Sequence, residues 1–195
     1  NKDAARFEET AALVKENYTK MFWSERHCYL ADYVGMAGAN FDVRPNQLLA
    51  CSLPYSPLQE EMKHIVVQLV KRELLTARGI RTLSPKNPNY KGIYDGNQGQ
   101  RDRAYHYDST RPWLLKHYAL ACFKLYGASF CRDAAKMIAG FEEDMSIHGI
   151  GAIAEIYDGD PPHHPHGAIN SATATGAILT VKYLINLYKQ NSKQL

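Results

Sequence analysis

Apolar residues recur at steps of three and four along most of the chain, and two long polar segments without this period separate the helices that it defines. The segments 81–110 and 148–167 are rich in Gly, Pro, Asn, Asp and Tyr, and loops of this length in compact domains are usually functional. The period predicts helices over about 1–20, 58–74, 112–126, 128–146 and 168–188. The chain is therefore constrained to a helical fold that carries its chemistry on loops.

Shorter elements and the last helix complete the predicted architecture. Residues 28–35 mix β-branched and aromatic residues and predict a short strand or hairpin edge. Pro45 suits the start of a short helix through Cys51, and Gly79 is expected to end the helix that follows. The helix 168–188 is apolar on nearly all sides, which predicts an inner helix buried against several neighbours. Buried helices alternate with helices that have one solvent-exposed face, and this indicates helical hairpins stacked in a ring or arc.

Composition excludes several classes of protein. The 195 residues are 45% hydrophobic and 22% charged, which is typical of one globular domain over 1–195. A net charge of +3 without a run of five like charges predicts no nucleic-acid or membrane partner. The four cysteines form no CxxC pair, so we expect buried free thiols in a reducing cytoplasm. The absence of a start methionine or signal peptide suggests a soluble piece of a longer protein.

Glu155 is the first candidate for chemistry. It lies in the apolar run Gly151–Ile156, where a carboxylate is costly to bury unless a charge or hydrogen bonds stabilise it. A carboxylate in such a place at the mouth of a loop is a candidate general base. The alternative interpretation is a Glu that only caps or pairs near a turn.

A metal site is the second hypothesis for the same loop. Asp158 and Asp160 are followed by His163, His164 and His166, and Asp and His are ordinary ligands of zinc or manganese. The intervening prolines force extended backbone, which is expected to keep the three imidazoles off a common face. We therefore favour a rigid, sugar-contacting loop wall that includes Asp158, and we expect no metal and no cofactor.

Two polar clusters are candidate sugar-binding walls. Sugar hydroxyls need polar partners beside a stacking face, and several of the thirteen Tyr residues lie in polar loops. The segment 101–113 would supply both through Asp102, Tyr105, His106, Asp108, Arg111 and Trp113. The alternative is a salt-bridged loop that covers a helix end, with Trp113 in the core. Asn46 and Gln47, at a helix start, form a weaker cluster expected at the same opening.

Taken in order, several segments between residues 41 and 167 resemble one family, the amylo-α-1,6-glucosidase domain of glycogen debranching enzymes. The resembling segments are Arg44–Gln47 with Ser52–Pro54, Leu74–Thr76 with Gly79–Pro85, Asn87–Tyr90 with Gly92–Tyr94, Arg101–His106, Pro112–Leu115, and Ala154–Asp160 with Pro165. No segment is specific alone, but the ordered set with similar gaps is.

The resemblance implies a fold and a reaction. The family's domain is similar to glucoamylase, an all-α (α/α)6 toroid of about twice this length, so the chain is expected to be its C-terminal half. The reaction is inverting hydrolysis of the α-1,6-linked glucose at branch points of glycogen or a related α-glucan. Glu155 would be the general base, while the general acid would lie upstream, which leaves the isolated fragment inactive. An open half-toroid should associate with a copy of itself or with the missing half.

Two departures from the family pattern leave other functions open. Tyr107–Arg111 replaces a run that ends in Trp in the family, so a cation stands where an aromatic would stack on sugar, and Asn170–Gly176 differs as well. One alternative is a non-catalytic glycan-binding or scaffold module on the same fold. Others are a different toroid enzyme, such as a sugar epimerase or an unsaturated glucuronyl hydrolase, and a helical-repeat interaction protein.

Overall fold

The computed structural model describes residues 2–192, which form seven α-helices and nine short strands. Two 3-10 turns precede α5 and α6, at Pro112–Leu114 and Gly127–Phe130. The helices are α1 Lys2–Phe22, α2 Gln47–Ser52, α3 Glu60–Glu73, α4 Gln98–Tyr107, α5 Leu115–Tyr126, α6 Cys131–Ile147 and α7 Ala172–Asn191.

The strands form two hairpins and one small antiparallel sheet. They are β1 Trp23–Ser24, β2 Tyr29–Leu30, β3 Tyr33–Gly35, β4 Gly38–Asn40, β5 Leu75–Thr76, β6 Gly79–Arg81, β7 Ser109–Arg111, β8 Ile156–Asp158 and β9 Pro165–His166. Strands β1 and β2 pair, as do β3 and β4, and the sheet has the order β5-β6-β7-β8-β9. In the sheet Ile80 lies opposite Arg111, and Ser109 lies opposite Asp158. The sheet therefore joins the two long polar segments side by side.

Helix α5 is the centre of the core. It packs against α2, α3 and α7, and α6 also packs against α7. Its side chains Tyr118 and Phe123 are almost completely buried. Cys51, Cys122 and Cys131 are buried free thiols as expected, whereas Cys28 is exposed. Burial raises the pKa of both Cys51 and Cys122 to about 12, so these thiols stay protonated.

Helices α1 and α7 each leave a face uncovered. Helix α1 has no buried residue, and α7 buries only the face that carries Ala174, Ala177 and Val181. On the opposite face of α7, Leu179 is 60% exposed and Tyr183 is 64% exposed. The expectation that α7 packs against several neighbours is confirmed, since it contacts α5, α6 and the two 3-10 turns, but it is not enclosed, because nothing in residues 2–192 covers that face.

Most of the predicted helices are confirmed, and the fold is predominantly helical. The segment 81–110 is not devoid of helix, since it contains α4, and both polar segments contribute strands to a sheet that the all-α prediction lacked. Gly79 does not end α3, which stops at Glu73; it lies in β6 instead. No helix within residues 2–192 is long and apolar enough to cross a membrane.

Candidate active site

Glu155 lies immediately before β8, and the hairpin of β8 and β9 fixes its backbone. Its amide donates to the carbonyl oxygen of Ala168 at 2.9 Å, which extends the pairing of Ile156 with His166. Ala154 and Ile156 on either side are fully buried, whereas the Glu155 side chain is 31% exposed. A buried backbone thus presents one half-exposed carboxylate at the end of a sheet.

Both oxygens of the Glu155 carboxylate accept a hydrogen bond. The Tyr105 hydroxyl donates to Oε1 at 2.5 Å, and the Ala168 amide donates to Oε2 at 3.1 Å. The Arg111 guanidinium lies 3.9 Å from Oε1. The Tyr105 hydrogen bond, the Ala168 hydrogen bond and the Arg111 charge together lower the pKa of Glu155 and outweigh the partial burial that would raise it. Glu155 is therefore ionised at neutral pH, as a general base must be.

Gly167 leaves room for this carboxylate. Its φ is +72°, a conformation that side-chain-bearing residues rarely adopt, and a Cβ there would lie 2.7 Å from Glu155 Oε2. Position 167 therefore requires glycine for two reasons, the conformation of the backbone turn and the space beside Oε2.

The histidine loop folds differently from the sequence prediction. Its three imidazoles do gather, because β9 pairs back on β8 and His163, with φ of 63°, turns the loop. The His166 ring lies 3.0 Å from Asp158 Oδ1, the His164 ring lies 3.5 Å from Oδ2, and the His163 ring contacts the Asp158 carbonyl. Among residues 2–192 no group of three or more such side chains is arranged to hold a metal ion.

The two buried aspartates of the predicted wall accept hydrogen bonds from backbone amides of the protein. Asp108 is 1% exposed and its Oδ1 accepts the Lys91 amide at 2.6 Å, while burial raises its pKa. Asp158 is 2% exposed and accepts the Tyr94 amide at 2.8 Å. These carboxylates hold residues 91–94 against the sheet, so they shape the loop that they were predicted to line.

The remaining predicted wall residues are spread over three elements. His106 and Asp102 are exposed on α4, where Asp102 accepts a hydrogen bond from Gln98. Asn46 is exposed and donates to Asp32 at 2.6 Å. Gln47 is buried, and its Oε1 has no hydrogen-bond partner within the described part of the chain. The structure therefore brings Tyr105 and Arg111 to Glu155 but does not bring Asn46 or Gln47 to it.

Trp113 borders an open cavity. It is half-buried on the turn before α5 and lines a space of about 540 Å³ together with Lys116 and the α7 residues Thr173, Gly176 and Thr180. Another cavity, of about 760 Å³, lies between α3 and the segment 27–43 and includes none of the predicted site residues. We place the site at Glu155 because the ionised, partly exposed carboxylate is there.

Sequence reasoning missed two contributors to the site, Gly167 and the Ala168 amide. A glycine directly after a run of prolines and histidines is a detectable sign of a turn with positive φ. The Ala168 amide has no sequence signal, because any residue supplies one.

Comparisons with known proteins agree with this architecture. Yeast neutral trehalase Nth1 from Saccharomyces cerevisiae is similar in structure, with a TM-score of 0.65 at 14% sequence identity. The likeness covers 92% of this chain and 30% of that chain, so the chain spans about a third of the trehalase's length. That similarity shows an arrangement of helices like that of the trehalase (α/α)6 toroid. No curated protein matches the sequence significantly.

The family comparison covers nearly all of the chain. The sequence pattern of the amylo-alpha-1,6-glucosidase family matches residues 1–180. That range includes Glu155, Tyr105, Arg111 and Gly167, and residues 181–195 lie outside it. The chain therefore belongs to the amylo-alpha-1,6-glucosidase family and is of the glycoside hydrolase type.

Proposed function

We propose that the chain supplies the general base for inverting hydrolysis of α-1,6-linked glucose at branch points of glycogen or a related branched α-glucan. Glu155 is that base, and the general acid comes from a part of the protein upstream of this sequence. The isolated chain is then inactive. The observation that best supports this proposal is the ionised Glu155 carboxylate, which is 31% exposed and accepts hydrogen bonds from the Tyr105 hydroxyl and the Ala168 amide.

The hydrogen bonds suggest which oxygen does the chemistry. Oε1 holds the short 2.5 Å bond to Tyr105, whereas Oε2 accepts one longer bond of 3.1 Å from an exposed backbone amide. The proton of the attacking water goes to Oε2, since that oxygen has the weaker competing donor. Inversion then needs a carboxylic acid roughly 6.5 to 9.5 Å away on the other side of the sugar, which protonates the leaving oxygen.

The family and the geometry together support the rest of the proposal. Of the predicted wall residues, exposed His106, Asp102 and Asn46 and half-buried Trp113 are accessible to a sugar. The uncovered faces of α1 and α7 fit a toroid closed by an upstream half. Three buried free thiols fit a cytoplasmic protein, where thiols stay reduced.

The test is glucose release from a phosphorylase-trimmed branched dextrin by the longer protein that contains this chain. We expect Glu155→Gln to lower the rate about a thousandfold with folding intact, the scale on which loss of an essential catalytic group commonly acts. Asp158→Asn is the matched control, because the Asp158 carboxylate already bonds to the Tyr94 amide. It should lower the stability of the protein more than its rate of glucose release.

The outcomes discriminate between functions. Equal rates for the parent and Glu155→Gln would show that Glu155 is not the base. An inactive parent that still binds the dextrin would indicate the glycan-binding or scaffold module instead. An inactive parent that binds no dextrin would point to a different glycoside or to another toroid enzyme.

A further inference from the structure

We infer that Arg111 is a positioning residue for Glu155: it holds Tyr105 so that the tyrosine hydroxyl stays on Oε1 and leaves Oε2 to meet the water. This inference rests on the proposed function for its catalytic part. It assigns Arg111 a task different from the sugar contact that the sequence suggested.

Arg111 is attached to Tyr105 in two ways. Its guanidinium carbon lies 3.7 Å from the centroid of the Tyr105 ring, and its Nη2 donates to the Tyr105 carbonyl oxygen at 2.5 Å. Stacking on the ring and bonding to the backbone fix both the plane and the position of the tyrosine. The hydroxyl at the far end of that ring is the one that bonds Glu155.

The backbone of Arg111 is itself fixed. Arg111 lies in β7, opposite Ile80 of β6, and β7 also pairs with β8, the strand that follows Glu155. Tyr105 belongs to α4, which ends two residues before β7 begins. The Ser109 hydroxyl of β7 also donates to the Tyr105 carbonyl oxygen, at 2.9 Å, but the Arg111 guanidinium is the group of β7 that also stacks on the tyrosine ring. The pairing of the strands thereby helps to set the distance from Tyr105 to Glu155.

The Arg111 side chain has little room for substrate. It is 12% exposed, and its charge already faces a carboxylate 3.9 Å away. The charged and titratable groups around Glu155 are Tyr105 from α4 and Arg111 from β7, while the loop after β9 presents the Ala168 amide. The imidazole of His166, on β9, is engaged by Asp158. Within residues 2–192, Arg111 is thus the cation that acts on this carboxylate, both directly and through Tyr105.

The first test needs no activity. The carboxyl carbon of Glu155 is followed by NMR as pH changes in the chain as given, with its resonance assigned by Glu155→Gln. We expect the midpoint to move to higher pH in Arg111→Met and to return partly in Arg111→Lys, which restores the charge but not the planar stack. Arg132→Met, which removes an exposed cation from α6, should leave the midpoint unchanged.

The second test uses the longer, active protein. Arg111→Met should lower kcat on the order of tenfold or more with KM nearly unchanged, because a misplaced catalytic group costs rate rather than binding. The acid limb of the pH profile should move to higher pH. A raised KM with an unchanged pH profile would overturn the inference and make Arg111 a substrate contact.

The two tests separate failure of this inference from failure of the proposed function. If the parent hydrolyses no glucan but the Glu155 midpoint moves in Arg111→Met and returns only partly in Arg111→Lys, which keeps the charge, the positioning role stands and the proposed reaction fails. If the midpoint does not move in a folded Arg111→Met or Arg111→Lys chain, the positioning role is wrong whatever the activity.

Discussion

The hydroxyl of Tyr105 makes the shortest contact of the Glu155 carboxylate and lowers its pKa more than any other group. A carboxyl whose pKa is lowered by folding stabilises the fold at neutral pH, and this stabilisation is lost as pH falls through the folded pKa. The free energy of unfolding of Tyr105→Phe should therefore be lower than the parent's at neutral pH and nearly equal to it in acid. Denaturant unfolding at several pH values measures this.

The matched variant for that experiment is Tyr107→Phe, which removes a hydroxyl from the end of the same helix. The ring of Tyr107 lies beneath Arg44 rather than beside Glu155. An identical pH dependence of unfolding for Tyr105→Phe and Tyr107→Phe would contradict the hydrogen bond to Glu155.

Gly167 and Gly151 provide a second pair at the residue scale. Their φ values are +72° and +69°, so alanine at either should cost about 1–2 kcal/mol of backbone strain. Only at Gly167 does the added Cβ meet the Glu155 carboxylate, at 2.7 Å; at Gly151 it meets open space. We expect Gly167→Ala to lose glucose release in the longer protein and Gly151→Ala to retain it at comparable stability. Equal activity in the two variants would mean that the carboxylate tolerates displacement.

Sequence reasoning at this scale named Glu155, Tyr105 and Arg111 but did not predict that they contact one another. An apolar run around a lone carboxylate is visible in the sequence, whereas Tyr105 lies 50 residues away from it in the chain. That contact depends on the pairing of β7 with β8, and strands of three residues are too short to show an alternating pattern. Arg111 was therefore predicted to contact sugar, although its charge lies against the protein.

At the scale of elements, the close approach of β6 to β7 invites a test. A Cβ on Gly79 would lie 2.6 Å from the carbonyl carbon and oxygen of Arg111, and backbone atoms cannot move aside as a flexible side chain can. Gly79→Ala should lower the free energy of unfolding by about 1–3 kcal/mol in addition to the backbone strain, as overpacking typically does. It should also disturb Arg111 and so raise the pKa of Glu155.

Gly38→Ala is the control for that variant, since Gly38 also has positive φ in a hairpin, yet an added Cβ there meets nothing within 4 Å. The difference in unfolding free energy between the two variants measures the contact of β6 with β7. A difference near zero would mean that the strands separate without cost.

The prediction of elements succeeded where an apolar stripe or a local residue signal exists, as at Pro45 before α2, and failed where neither was recognised. Helices α3, α5 and α6 bury one face and were visible from their period. Helix α4 buries only Ala104, so it has no stripe, and a capping box holds its start. The sequence signal that could have revealed it is Asn97 followed three residues later by Gln100.

At the scale of the whole molecule, the open face of α7 predicts association of the isolated chain. Exposed Leu179 and Tyr183 lie on that face, and soluble monomers rarely leave such contiguous apolar surface uncovered. We expect light scattering to show a species larger than a monomer, and Leu179→Glu to restore the monomer. Ser146→Glu, at an exposed polar position of α6, should not. A monomeric parent chain would contradict this.

The helix pattern predicted stacked hairpins, and the resemblance to the amylo-α-1,6-glucosidase family predicted a toroid. Helical periods give the number and length of the helices, but they do not give the way in which the helices pack against one another. Within residues 2–192 the arc from α2 through α5 to α7 is the part that the sequence could specify, because those helices bury their stripes against one another.

The sheet behind Glu155 also bears on the order of folding. Its five strands are two or three residues long and come from positions as far apart as 75 and 166, so none can persist before the helices bring them together. Tyr105 and Arg111 leave the ribosome long before Glu155, and the Ala168 amide follows later still. The end of the molecule that carries the candidate site is then among the last parts of the chain to take shape, while the helices can form earlier. A chain halted before Ala168 would be largely helical but would lack the site.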